Sequence, residues 1–434
     1  MNDASFTAPS STVATADAQP RKQSQFRLIA ACSLGNALEM YDFTVYSFFA
    51  LLIGKLFFPS DSPYGSLLLA VATFGIGFAM RPLGGLVIGN YADRRGRKAA
   101  MTLTITMMVL GTLLIALAPT YASAGVFGSL TILAGRILQG FSLGGEMAAA
   151  SVMLMESGAR NGRGWRVGWQ LASQGIASLF GALTGAVLYG FMPTGALETW
   201  GWRLPFLVGL LIAPVGLYIR ANLEETHQAD AAAPSPMGEL LRRHGGTVLK
   251  GILAVPASTV TMYLVVFYMP TYMIRVLHMP ASLSFLSGCA TGLTLFVVAL
   301  VSGRMADRMK RRKTLVLASL IISMLAIVPA FWLMNAYPSV PLVIGLSVLI
   351  TAGINLGTTP LFLAIMESLP VKVRVSGMSV ISSVGVTIFG GTAQFVVTWL
   401  LARTGNPLSP AWYMLASGVV TLIAVLSIRE GSAD

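Results

Sequence analysis

Five ionisable side chains stand well inside long apolar runs of this sequence: Glu39, Asp42, Arg81, Arg136 and Glu146. At bilayer depth such a group costs about 2.5–3.5 kcal/mol even on a lenient insertion scale, so it persists where it is paired, hydrated or used. All five lie in the first half of the chain, and the second half has none at that depth. A scheme of purely structural ion pairs does not require this one-sidedness. Three acids face two bases, and all five ionised together would be net negative in a poor solvent. One carboxyl is therefore expected to hold a proton for part of a cycle, which is the physical requirement for proton coupling. Asp42 is favoured as the carrier and Glu39 as its pair partner, one turn away on nearly the same face. Arg136 is read either as a control on a neighbouring acid's proton and a clamp for a carboxylate, or as a structural ion pair. Its planar, permanently charged fork suits each role. Arg81 is read as a substrate contact or, with Pro82 and Gly84, as a helix-packing corner. Glu146 is read as part of the proton path or as a latch on an inner gate.

Uncharged polar residues complete a candidate chamber. The first half supplies Asn36, Gln139, Gln170, Ser173 and Gln174, and the second Tyr263, Tyr268, Tyr272, Asn355, Thr358, Thr359 and Gln394. An interhelical hydrogen bond would explain any one of them. Gln139 follows Arg136 by three residues and faces the same way. Asn355, between Gly353 and Gly357, is the best second-half contact. The substrate-binding set expected from these readings is Arg81, Arg136, Asn36, Gln139, Gln170, Gln174, Tyr268 and Asn355. At 1.5 Å of rise per residue, Glu39, Arg81 and Arg136 lie roughly 13–16 Å from the ends of their helices, so they can share a middle layer.

Other chemistries lack their residues. The chain has no Gly-x-x-x-x-Gly-Lys-Ser/Thr phosphate loop, and Gly144-Gly145-Glu146 lies within a span, where it serves close packing. His227, His244 and His278 are scattered without metal-ligand spacing, and Cys32 and Cys289 sit in apolar runs as inert small residues. Neither a cofactor, a catalytic constellation nor a long soluble output domain is indicated.

The elements that must position these groups are membrane spans. Of the 434 residues 55% are hydrophobic and 11% charged, against roughly 25% charged in a soluble domain. Mean hydropathy is +0.73, so lipid must be the main solvent. Candidate spans fall near 28–53, 66–90, 100–119, 126–154, 167–191, 204–221, 249–274, 283–303, 314–334, 341–366, 376–401 and 411–428. The net charge of +12 sits in short clusters between apolar runs, a pattern that orients a membrane protein and does not indicate nucleic acid. With an inside N-terminus, 23 Lys and Arg fall inside and 4 outside, which places both termini in the cytoplasm. Residues 1–27 read as a disordered cytoplasmic tail, 28–221 as a six-helix bundle, 222–248 as a central cytoplasmic loop, 249–428 as a second six-helix bundle and 429–434 as a tail.

The two halves echo each other. Gly89-Asn-Tyr-Ala-Asp93-Arg94-Arg95-Gly96-Arg97-Lys98 follows the second span, and Gly303-Arg-Met-Ala-Asp307-Arg308 follows the eighth. Glu156-Ser157 precedes Arg163 by seven residues, and Glu367-Ser368 precedes Arg374 by the same seven. The halves are therefore expected to be parallel repeats about an axis along the membrane normal.

The 89–98 stretch resembles the signature loop of the major facilitator superfamily. The stretches 35–43, 80–84, 135–146, 169–174 and 201–206 resemble its metabolite:proton symporter branch. The segments 222–226, 270–272 and 404–413 are most similar to those of citrate and tricarballylate symporters. The resemblance implies an all-α integral membrane fold of twelve transmembrane helices in two pseudo-symmetric six-helix bundles, in a bacterial inner membrane and as a monomer. It implies alternating access by rocking of the bundles and symport of protons with a small organic anion, best citrate or a related tri- or dicarboxylate. A zwitterionic osmolyte of the betaine or proline type is the alternative. Proton-driven export of hydrophobic cations is a further rival, and two buried arginines argue against it. The gate is expected from Asp93, Arg94, Arg97 and Glu156 on one half. On the other it is expected from Asp307, Arg308, Glu367 and Arg374, with Arg94 or Arg97 reaching Glu156 and Arg308 or Arg374 reaching Glu367.

Overall fold

The computed structural model describes residues 25–95, 97–144, 146–211, 213–214 and 236–428. The two tails, most of the central connection and the second part of the expected sixth span lie outside the described residues, and so do the side chains of Asp93, Arg94, Arg97 and Glu146.

Every element among the described residues is helical. The first span runs Gln25–Phe48 and continues, after a 63° bend, as Ala50–Phe57. The second is Gly65–Arg95 and the third Arg97–Leu117. The fourth is interrupted between Val126–Ser142 and Glu146–Glu156, where Leu143 and Gly144 leave the helix, Gly144 lacking a side chain to support it. The fifth is Arg163–Phe191, and Leu204–Gly209 opens the sixth. The seventh begins at Pro236, inside the stretch expected to be loop, and reaches Arg275 in pieces. Pro256 starts one of those pieces and Pro270 is the second residue of another, because a proline lacks the amide hydrogen that would continue the preceding turn. The eighth to tenth spans are Ala281–Arg308, Arg312–Ala336 and Val340–Glu367, the tenth interrupted at Gly357. The eleventh covers Val371–Thr404 and the twelfth Ser409–Ser427. One turn of wider π-helix occurs in the seventh span, Met262–Phe267, and one in the eleventh, Val386–Gly391. Such turns recur at functional sites because they displace side chains from the regular ladder.

Large apolar side chains such as Leu293, Val297, Val301, Ile322, Leu325, Leu349 and Ile423 are exposed along the outer faces. A water-soluble surface does not tolerate so continuous an apolar cover, whereas a lipid-facing one requires it.

The two halves meet along paired seams. The fifth span packs on the eighth so closely that a Cβ on Gly168 would come 2.9 Å from the Ala299 carbonyl oxygen, and one on Gly175 2.6 Å from that of Gly292. Backbones approach this near only where small residues face each other, the usual means of helix association in lipid. The second and eleventh spans form the corresponding seam, where the Thr387 hydroxyl donates to the Phe78 carbonyl at 2.7 Å. Spans two and eight carry the repeated Gly-x-x-x-Asp loop, and spans five and eleven follow the repeated Glu-Ser pair. The seams are thus related by the same two-fold relation that the sequence repeat predicts.

Candidate functional site

A cavity lies between the halves. Arg81 and Gln174 line it from the first half, and Ser258, Tyr263, Asn355, Thr358 and Thr359 from the second. Met40, Met262 and Phe362 supply apolar wall. Of the expected substrate set, Arg81, Gln174 and Asn355 reach this wall. The Arg81 guanidinium carbon stacks 3.9 Å from the Phe78 ring centre and 4.7 Å from that of Phe43. Glu39 and Tyr263 are its electrostatic neighbours. Its Nε and Nη2 are buried and have no hydrogen-bond partner among the described residues, so a desolvated cation with unused donors stands at the chamber wall.

Arg136, Asn36, Gln139, Gln170 and Tyr268, also expected to contact substrate, do not line this cavity. Asn36 is spent on the packing of the first and fifth spans, donating to Ser173 Oγ at 2.7 Å and to the Gln170 carbonyl at 3.3 Å. Gln170 is fully buried beside it. Tyr268 shares a 2.8 Å hydrogen bond with Thr398 inside the second half.

Arg136 occupies an inner layer. Its guanidinium carbon lies 4.2 Å from the ring centre of Phe43, 4.5 Å from Tyr46 and 5.1 Å from Phe74. Desolvated contacts of this kind are worth up to about 2 kcal/mol each and partly replace lost hydration. Phe43 lies against both arginines, Arg81 on the chamber and Arg136 behind it. Arg136 Nη1 donates to Gln139 Oε1 at 2.8 Å, and Gln139 Nε2 donates to Thr112 Oγ1 at 3.0 Å. The Thr112 hydroxyl donates to Asp42 Oδ2, on which Gln139 Nε2 also converges at 3.5 Å. Asp42 and Arg136 are both completely buried and are linked through Gln139 and Thr112 without a direct ion pair among the described residues. Thr112 was missed in the sequence, where a threonine in a span carries no distinguishing signal.

The ends of the cavity are bridged across the halves. On the face where the repeated Glu-Ser motifs lie, Arg374 Nη1 meets Glu156 Oε1 at 2.5 Å, and Arg163 Nη1 meets Glu367 Oε1 at 3.4 Å. Each motif's glutamate therefore pairs with the other motif's arginine. Arg312 also holds Glu367, at 2.5 Å. Glu367 thus takes Arg312 and Arg163, neither Arg308 nor Arg374 as expected, because Arg374 is drawn across to Glu156. Asp307 accepts from the amides of Gly164 at 2.7 Å and Trp165 at 2.9 Å, capping the start of the fifth span from the opposite half. At the other end Phe48 packs edge-on to Phe267 and Phe285, with ring centres 6.0 and 6.1 Å away. There too Gln394 Nε2 donates to Ser47 Oγ at 2.6 Å, and Arg275 donates to the Pro63 carbonyl. Among the described residues no group of three or more His, Cys, Asp or Glu is placed to hold a metal ion.

Comparison with known proteins agrees with this architecture. The family described as Major Facilitator Superfamily matches residues 32–390. A citrate-proton symporter of Klebsiella pneumoniae is 33% identical over 99% of this chain and 96% of its own length. A proline/betaine transporter of Salmonella typhimurium is 32% identical over 93% of this chain and 83% of its own. Among solved structures, a D-xylose-proton symporter superposes with a TM-score of 0.76 at 16% identity, covering 94% of this chain and 99% of that one, a likeness of fold. The chain therefore belongs to the Major Facilitator Superfamily and is a membrane transporter, not an enzyme.

Proposed function

We propose that the protein carries a small organic anion together with protons by alternating access, with citrate or a related tri- or dicarboxylate as the best candidate. The observation that supports this most is the desolvated Arg81 guanidinium on the cavity wall with donors to spare. A carboxylate satisfies such a fork bidentately. The Gln174 amide and the second amide hydrogen of Asn355, whose first goes to the Thr351 carbonyl, are suited to its remaining oxygens, while the Ser258, Thr358 and Thr359 hydroxyls donate to backbone carbonyls and would have to turn to reach it. Asp42 is the proton carrier, with Arg136 behind Phe43 as the fixed charge that biases it. Glu39, close to Arg81, links the carrier layer to the chamber, and Glu146 is assigned to the same proton path. Asp93, Arg94, Arg97, Asp307 and Arg308 belong to the gate with the two exchanged Glu–Arg pairs.

The protein works as a monomer in a bacterial inner membrane, with both termini and the Glu156–Arg374 face in the cytoplasm. A second reading, a zwitterionic osmolyte, is favoured by one observation. Arg81 is the only cation lining the chamber among the described residues, and Phe362 and Tyr263 are aromatic residues of its wall, the residue type that attracts an ammonium group. Counterflow of labelled citrate into proteoliposomes separates the two. Saturable entry that rises with an imposed pH gradient is the expected result. Absence of citrate entry, with labelled betaine accumulating in its place, replaces the first reading by the second.

A further inference from the structure

We propose that Asp42 takes its proton on Oδ1, the oxygen facing Gly209 of the sixth span, while Thr112 and Gln139 keep Oδ2 a permanent hydrogen-bond acceptor. The inference rests on the reading of Asp42 as the carrier. It follows from the direction of the chain that begins at Arg136. A guanidinium only donates, so Gln139 must turn its oxygen to Arg136 and its amide hydrogens away. One of those hydrogens goes to Thr112 Oγ1. A threonine hydroxyl has a single proton, and with its oxygen occupied that proton points on to Asp42 Oδ2. Arginine thus sets the polarity of every link, and the links arrive at Oδ2 as donors.

A proton bound at Oδ2 would face the Thr112 hydroxyl and the Gln139 amide hydrogens head-on. Bound at Oδ1, it leaves Oδ2 as the carbonyl oxygen of a neutral acid, and the chain survives loading unchanged. Oδ1 has no hydrogen-bond partner among the described residues and is fully buried. A Cβ on Gly209 would overlap it, so glycine is what leaves room on that side. Asp42 is packed by Thr112 of the third span, Gln139 of the fourth and Gly209 of the sixth, and Arg136 and Tyr41 are the charged or titratable groups in electrostatic reach. Loading forms one O–H bond at Oδ1 with a proton from water on one side of the membrane and takes the carboxylate from −1 to neutral. Unloading breaks that bond and returns the proton to water on the other side. The sixth span is then the element that feels the proton directly, because the Arg136 chain does not change.

Infrared difference spectra of the full chain in lipid, between acid and alkaline pH, test the assignment. A protonated-carboxyl C=O band present in the parent protein and absent in Asp42→Asn identifies the group. If the carbonyl oxygen is Oδ2, Thr112→Val removes a donor to it and moves the band to higher wavenumber, while Thr112→Ser leaves the band in place. A band that Thr112→Val does not move puts the proton on Oδ2 and overturns the proposal with Asp42 still the carrier. Spectra in which Asp42→Asn removes no band overturn the carrier reading itself.

Discussion

Arg81 and Arg136 show how differently one residue type is used at one depth. Arg81 stacks on Phe78 and lines the chamber, whereas Arg136 is enclosed by Phe43, Tyr46 and Phe74 and spends a donor on Gln139. Replacing Arg81 by Gln should remove a charge-assisted hydrogen bond to the anion. Such a bond is worth about 1.5–3 kcal/mol, so the KM for counterflow should rise roughly 10- to 100-fold. Arg81→Lys should recover little of this, because an ammonium lacks the planar fork and the stacking on Phe78. An unchanged KM in Arg81→Gln would exclude Arg81 from the substrate site. That Arg81 and Arg136 stand at a similar height, both against Phe43, was legible from counting residues along their helices. Which of them reaches the chamber was not. A span that is apolar around most of its circumference carries a height for each residue but little information on its rotation. The same ambiguity put Asn36, Gln170 and Tyr268 in the expected site, whereas Gln174 and Asn355 reach it.

The elements of the gate are easier to read, because their spacing repeats. The Glu-Ser…Arg motif of each half marks where a span ends and the next begins, and the two-fold relation then makes each motif face the other. The exchange of partners was not legible, since spacing locates a residue within its half but not the half it faces. Glu156 is 39% and Arg374 12% exposed at the side chain, so the pair is worth roughly 0.2–1 kcal/mol and acts as a bias rather than a lock. Charge reversal of either residue alone should lower uptake. The double reversal, Glu156→Arg with Arg374→Glu, should restore it, with a coupling of at most about fivefold in a double-mutant cycle. Simple addition of the two losses would mean that the pair is not formed in the transport cycle. The seam should respond in a different quantity. Gly175→Val forces a branched side chain against the Gly292 backbone. Overpacking of this kind costs about 1–3 kcal/mol, to be read as a lower unfolding temperature of the solubilised protein.

At the scale of the whole molecule, contacts at both ends of one cavity make a prediction about exclusivity. Rocking requires the Glu156–Arg374 end and the Phe48–Phe267 end to open in turn, since a path open at both ends would dissipate the gradient that drives transport. With Cys32 and Cys289 replaced, a flexible dithiol-reactive linker joining Glu156→Cys to Arg374→Cys should hold one end shut. A linker joining Pro63→Cys to Arg275→Cys should hold the other. Either alone should abolish both net uptake and counterflow, because counterflow also needs the site to face each side. A reporter thiol at Ser258→Cys on the cavity wall should distinguish the two trapped forms. It should react with a membrane-impermeant reagent from the Pro63 side when the Glu156 end is linked, and from the Glu156 side when the Pro63 end is linked. Labelling from both sides in either form would describe a channel, in which the two ends open independently, and the paired seams would then have to separate without pivoting.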